Sequence, residues 1–199
     1  MPKLTLYRAI TPRDGEYILN HPYKTTQRPP TNVPYVVDNL WEWQRPEEMP
    51  CRRLAAYASP TPESALDSVS GPGKKAFRIE FTGACKLAQL KKYADSKEHP
   101  ECSSLKKLLI SAMERDWPGL PLDQKQSAGQ LWMPCLSKSE VNTLFETDQR
   151  LLTIKDKMIA AIQYWQGVEL LTLESERLPD PGGEIFFEAL DGYRLVDEN

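Results

Sequence analysis

Histidine is nearly absent: the 199 residues hold two, and the four cysteines, Cys51, Cys85, Cys102 and Cys135, stand apart with no CxxC pair. Metals such as zinc are held by Cys and His at short, recurring spacings, so no metal site is expected and the cysteines read as reduced, mostly packed thiols. No apolar run approaches the roughly 18 residues a spanning helix needs. The opening MPKLTLYRAI lacks both the apolar stretch and the cleavage site of a signal peptide. A cytoplasmic location with no membrane partner is therefore expected. Positive charge is not in excess either. Lys and Arg number 25 against 28 Asp and Glu, and the net charge of -3 gives no general attraction to phosphate backbones, which leaves a nucleic-acid target to a local patch. Neither an internal repeat nor a low-complexity tract is present.

What remains, with 40% hydrophobic residues, suits a single α+β domain spanning 1-199 with its own core. LTLYRAI, residues 4 to 10, reads as a strand in which Arg8 shares a face with Leu4 and Leu6. Residues 12-50 are proline-rich, with Pro22, Pro29, Pro30, Pro34, Pro46 and Pro50 each opposing long regular structure, so a loop is expected, partly packed through Tyr35, Trp41 and Trp43. RRLAAYAS, from Arg52 to Ser59, reads as a second strand, and Thr61 is placed to cap a helix starting at Pro62. KAFRIEFTG alternates Phe77, Ile79 and Phe81 against Arg78 and Glu80 as a half-buried strand. A helical insert is expected over 100-167. It holds an amphipathic helix from Ser103 to Trp117, whose face carries Lys106, Lys107 and Arg115, and one or two more helices with Ser137 or Ser139 as N-cap and Gly167 as C-cap. VELLTL and EIFFEALDGYRLV supply the last strands, the second turning at Asp191-Gly192.

Three strand positions carry chemistry: Arg8 in LYRAI, Ser59 in YASPTPESAL, and Glu184, which follows Gly182 and Gly183 and opens the strand EIFFEA. Taken singly, each also has a plain structural reading: a snorkelling arginine, a turn serine and a hydrated strand end. Their joint order, with Ser59-Pro60-Thr61 running into a helix, resembles the mono-ADP-ribosyltransferase superfamily of the Arg-Ser-Glu kind. The resemblance covers three short windows spread over most of the chain.

The resemblance implies an ADP-ribosyltransferase-like split antiparallel sheet with a helical insert, and an NAD-dependent transferase of the toxin or effector type. In it Glu184 stabilises the ribose oxocarbenium, Arg8 pairs with NAD phosphate or the neighbouring ribose, and Ser59 holds Glu184. Tyr57 and Thr61 would line the NAD site beside Ser59, with Asn39 and Trp41 of VDNLWEWQRP behind it. The acceptor would be a protein or a nucleic acid, and an antitoxin or immunity partner is a further implied contact. Gly182 stands where arginine-modifying members carry a Glu or Gln, which favours another acceptor or hydrolysis. The front half also looks like the layout of RES-domain toxins, which degrade NAD and would use Arg8, Tyr57 and Ser59 with less call on Glu184. A third expectation is a binding module whose site has decayed.

Overall fold

A computed structural model describes residues 4–11, 23–113, 119–174 and 179–197. The fold is α+β, and the expected single domain resolves into two compact units: residues 1–27, 47–94 and 168–199, and residues 28–46 and 95–167.

The first unit carries all the strands among the described residues: β1 (Tyr7–Ile10), β2 (Ala56–Ala58), β3 (Lys75–Phe81), β4 (Cys85–Leu90), β5 (Val168–Leu171), β6 (Glu184–Ala189) and β7 (Tyr193–Val196). They form two antiparallel sheets, β1-β3-β7 and β2-β6-β4-β5. One core joins them, with Leu6, Phe77, Ile79 and Leu195 from the first sheet side and Ala56, Leu87, Ile185 and Phe187 from the second. The Phe187 ring meets Phe81 and Tyr193 edge-on, with centroids 5.0 Å apart in both pairs. This is the period-two pattern at work: alternate residues of β3 and β6 face inward. Gly192, at φ +98, makes the β6–β7 turn in the left-handed region that favours glycine. A short helix spans Pro62–Asp67, and the Thr61 side chain caps it by accepting from the Ser64 N–H.

Two strand expectations change. Arg52 to Ala55 form a turn, not strand, closed by Leu54 N–H to Cys51 O and Ala55 N–H to Arg52 O. CKLAQL, which sequence reading passed over, is β4. Its Leu, Ala, Gln and Lys are helix formers, and its last four residues are buried without alternation, so neither composition nor period marks a strand.

The second unit is helical. The proline-rich stretch expected as loop contains the helix Tyr35–Trp43, with Pro34 at its N-cap and Val36, Val37, Leu40 and Trp41 buried. Proline at a helix start denies nothing, because the first N–H groups have no intrahelical partner. Residues 12–22 of that stretch lie outside the described residues. The remaining helices are Glu101–Met113, Leu122–Gly129, Lys138–Thr147 and Gln149–Ala161. The first starts two residues before its expected Ser103, and Arg115 and Trp117 fall outside the described residues. Ser137 is the N-cap of a full capping box with Glu140. Gly167 ends a short 3-10 turn, Tyr164–Gly167, and is not the cap of the preceding helix, which stops at Ala161.

An aromatic cluster fills this unit: Trp41 stacks on Tyr164 at 4.0 Å and Trp43 on Phe145 at 4.6 Å. Glu101, buried beside it, accepts from Trp41 Nε1 at 2.8 Å and from the Gln163 N–H at 2.7 Å. Burial pushes its carboxyl above the ordinary range, and the hydrogen bonds from Trp41, Gln163 and Tyr164 offset this only in part. A carboxyl raised in the folded state contributes stability below its unfolded value that is lost as pH rises through the folded one. Glu101→Gln is accordingly expected to show its largest deficit in melting temperature near pH 4 and a smaller one near pH 7. Thermal melts of both proteins across that range check the sign, and a deficit that grows with pH contradicts it.

Candidate active site

The strand that begins at Glu184 is aimed by its approach. Gln89 Nε2 donates to Asp180 O at 2.6 Å and Gln89 Oε1 accepts from the Asp180 N–H at 2.8 Å, clamping the segment before the strand. A Cβ at Gly183 would lie 2.6 Å from the Leu90 carbonyl oxygen, so only glycine lets the chain pass this close to β4. The Glu184 N–H then donates to Tyr93 O at 2.8 Å. Gly182 makes no such approach; its N–H donates to Asp180 Oδ1.

β2 lies beside β6 with Ala58 opposite Ile185 and Tyr57 opposite Phe186. The ladder ends at Ala58–Ile185, and Ser59 and Glu184 are the next residues beyond it on the two chains. β2 also meets the other sheet. Tyr7 and Ser59 exchange both backbone hydrogen bonds at 2.8 Å, so Tyr7, not Arg8, stands directly opposite Ser59. Arg8 is half-buried opposite Phe77, on the strand face that Leu6 also occupies, and its Nη1 donates to the Tyr57 carbonyl at 3.0 Å. The guanidinium has five N–H donors in a planar fork, so this bond orients the group without exhausting it. Residues separated by 51 and 125 positions in sequence, Arg8, Ser59 and Glu184, thus belong to one unit, Arg8 on β1, Glu184 on β6 and Ser59 one residue past β2.

Two details depart from what the resemblance implies. Among the described residues no hydrogen bond joins the Ser59 hydroxyl to Glu184; the carboxylate is held by Arg52, whose Nη1 lies 3.3 Å from Glu184 Oε2. Both partners are almost fully enclosed, with 4% and 9% of their side chains exposed. The Arg52 guanidinium also sits 5.9 Å from the Phe186 ring centroid, two residues along the same face of β6. Sequence reading missed Arg52. The Arg52-Arg53 doublet reads in sequence like an exposed basic pair, and only the fold shows both to be buried. Thr61 spends its hydroxyl on the helix cap, accepting from Ser64 N at 3.2 Å and bonding Ser64 Oγ at 2.9 Å. That is the capping role its place before Pro62 predicts.

Asn39 and Trp41 lie away from these strands in the sequence and in the helical part of the chain. Both are fully buried in the helical unit. Asn39 Nδ2 donates to Leu131 O and Met133 O, and its Oδ1 accepts from the Leu136 N–H, so the side chain ties the 131–136 segment to the first helix of that unit. Trp41 gives its Nε1–H to Glu101 and its carbonyl to Trp165 Nε1 at 2.7 Å. These are packing residues, because an amide and an indole buried this deeply must satisfy their polar atoms internally.

Comparison of the chain with family models, with curated proteins and with solved structures returns no match. Among the described residues no helix is long and apolar enough to cross a membrane.

Proposed function

We propose that this chain consumes NAD as a mono-ADP-ribosyltransferase acting on a macromolecular acceptor, protein or nucleic acid, on a fold of the ADP-ribosyltransferase kind. The observation that supports it is the meeting of three distant windows: β2 pairs with β6, which Glu184 opens, and Ser59, the residue after β2, is bridged to Tyr7 of β1, next to Arg8. In the reaction the bond between the ribose anomeric carbon and the nicotinamide nitrogen breaks, and its electron pair leaves with neutral nicotinamide. The sugar passes through an oxocarbenium-like state, and the acceptor nucleophile adds to it and releases a proton. Glu184 works on the developing positive charge, and Arg8 suits the pyrophosphate because its fork stays charged and meets two oxygens at once. A toxin or effector setting, with an antitoxin or immunity partner, belongs to the same proposal.

NAD labelled in its adenylate half, incubated with the protein and a cell lysate and then split between protease and nuclease digestion, tests this. Transfer of label to one class of macromolecule is expected. No consumption of NAD with or without lysate overturns the reading in favour of a binding module.

A second reading, RES-like NAD degradation, is favoured by one contact: Arg8 donates to the main-chain carbonyl of Tyr57, which brings it beside the residue whose side chain shares a strand face with Ser59, while Glu184 pairs with Arg52. The Tyr57 hydroxyl separates the two. For the transferase, Tyr57→Phe is expected to keep turnover within about 10-fold of the parent, below the 100-fold scale of a lost electrostatic stabiliser. Collapse of NAD turnover in Tyr57→Phe, with Glu184→Gln mild and no label transferred, establishes the RES-like alternative.

A further inference from the structure

Arg52 lies 132 residues from Glu184 in sequence, yet the turn that carries it is docked on one face of β6 in three ways. Its guanidinium pairs with Glu184, the same group sits over Phe186, and the Cys51 N–H donates to Glu188 Oε2 at 3.0 Å. Glu184, Phe186 and Glu188 are alternate residues of the strand and so present one surface to the turn. An enclosed carboxylate needs a paired charge to stay ionised, and Arg52 supplies it in a geometry set by the turn's own hydrogen bonds.

We propose that Arg52 is the positioning residue of the site, fixing the Glu184 carboxylate where the ribose cation develops, the task that the resemblance alone would give to Ser59. The inference rests on the NAD-consuming reading and adds to it a residue outside the Arg-Ser-Glu set. A carboxylate held in place before reaction needs no reorganisation as charge forms, and a misplacement of about 1 Å can lower a rate by about 100-fold. The ion pair engages Oε2, and an ionised carboxylate has about four lone-pair sites, so accepting from Arg52 does not preclude accepting from a ribose hydroxyl. Lysine keeps the charge but cannot lie flat over Phe186 while reaching the carboxylate from a planar fork.

The test uses the full chain and follows nicotinamide release. Arg52→Lys is expected to lower kcat by about 10-fold or more with a much smaller change in KM for NAD. In a Glu184→Gln background the same substitution should cost little further, because the group it positions is gone; a purely structural role would reduce both backgrounds alike. Circular dichroism and a melt establish that each variant is folded at the assay temperature. Should the Arg52 variants fail to fold, Ser59→Ala carries the decision, since removing the competing hydroxyl is expected to lower kcat by less than Glu184→Gln does. Equal Arg52→Lys penalties in the two backgrounds, an unchanged kcat, or a Ser59→Ala loss as large as that of Glu184→Gln overturns Arg52 as the positioning residue while wild-type activity keeps the NAD reading intact. A wild-type chain that releases no nicotinamide overturns both.

Discussion

Glu184→Gln is expected to lower NAD turnover by about 100-fold or more, the scale of losing one strong electrostatic stabiliser, while NAD affinity changes only slightly. The substitution keeps the size of the side chain and an oxygen that can accept a hydrogen bond, and it removes the negative charge. If that charge acts on the developing oxocarbenium, its effect belongs to the transition state and falls on kcat. The buried pair adds a second consequence. With Glu184 neutral, Arg52 loses this charged contact, and breaking a buried pair on one side destabilises by roughly 3–5 kcal/mol. The two effects are separable, since urea unfolding measures the second and turnover per folded molecule measures the first. A Glu184→Gln protein that is less stable but turns over NAD normally when folded assigns the pair to structure alone.

Glu188 supplies the control within the same strand. It lies on the same face, four residues on, opposite Lys86, and its Oε2 accepts from Cys51. Gln retains that acceptor, so Glu188→Gln should leave the turn docked and reduce turnover far less than Glu184→Gln. The reverse order of severity would place the reacting ribose at the other end of β6.

Much of the fold was legible because local chemistry agreed with the global arrangement. Thr61 before Pro62 and Ser137 before Glu140 are helix starts written in two or three residues, and both caps form. Phe77 and Ile79 alternate with charged residues and enter the core. The helix Tyr35–Trp43 was legible in principle, since Val36, Val37, Leu40 and Trp41 recur at helical spacing, but the surrounding prolines outweighed that signal. β4 was hidden by its helix-forming composition. At the site, the strand opened by Glu184 and the glycine entry to it could be read in advance. The Arg52 pairing could not, because an ion pair between residues 132 apart leaves no local pattern, and a buried arginine looks in sequence like an exposed one. The burial of Trp41 and Asn39 was equally hidden, because a tryptophan-rich polar segment reads in sequence as an exposed wall as readily as a core.

The helical unit has its own acid-sensitive fastening, and the second large effect is expected there. Asp148 is 5% exposed and caps the helix Gln149–Ala161 by accepting from the N–H groups of Arg150 and Leu151. It also receives the Arg150 guanidinium at 2.8 Å and the Ser127 hydroxyl at 2.6 Å. Burial pushes the Asp148 carboxyl upward, but the Arg150 and Ser127 side chains and the Arg150 backbone N–H together bring it down from 3.8 to about 2. A carboxyl depressed by folding contributes stability that is present above its unfolded value and lost as pH falls through the folded one. That window runs from near 3.8 down to about 2. Its contribution at neutral pH is about 2 kcal/mol, because each unit of displacement is worth about 1.4 kcal/mol. Asp148→Asn keeps a good N-cap and loses the charge, so it should destabilise by about 2 kcal/mol at pH 7 and draw level with the parent near pH 2. Asp148→Ala loses the cap as well, for a total of about 3 kcal/mol at pH 7. Trp41, Trp43, Trp132 and Trp165 all belong to the helical unit, so tryptophan fluorescence during urea unfolding reports on it. A gap between Asp148→Asn and the parent that stays constant from pH 7 to pH 2 would show that the ionisation of Asp148 does not hold this helix.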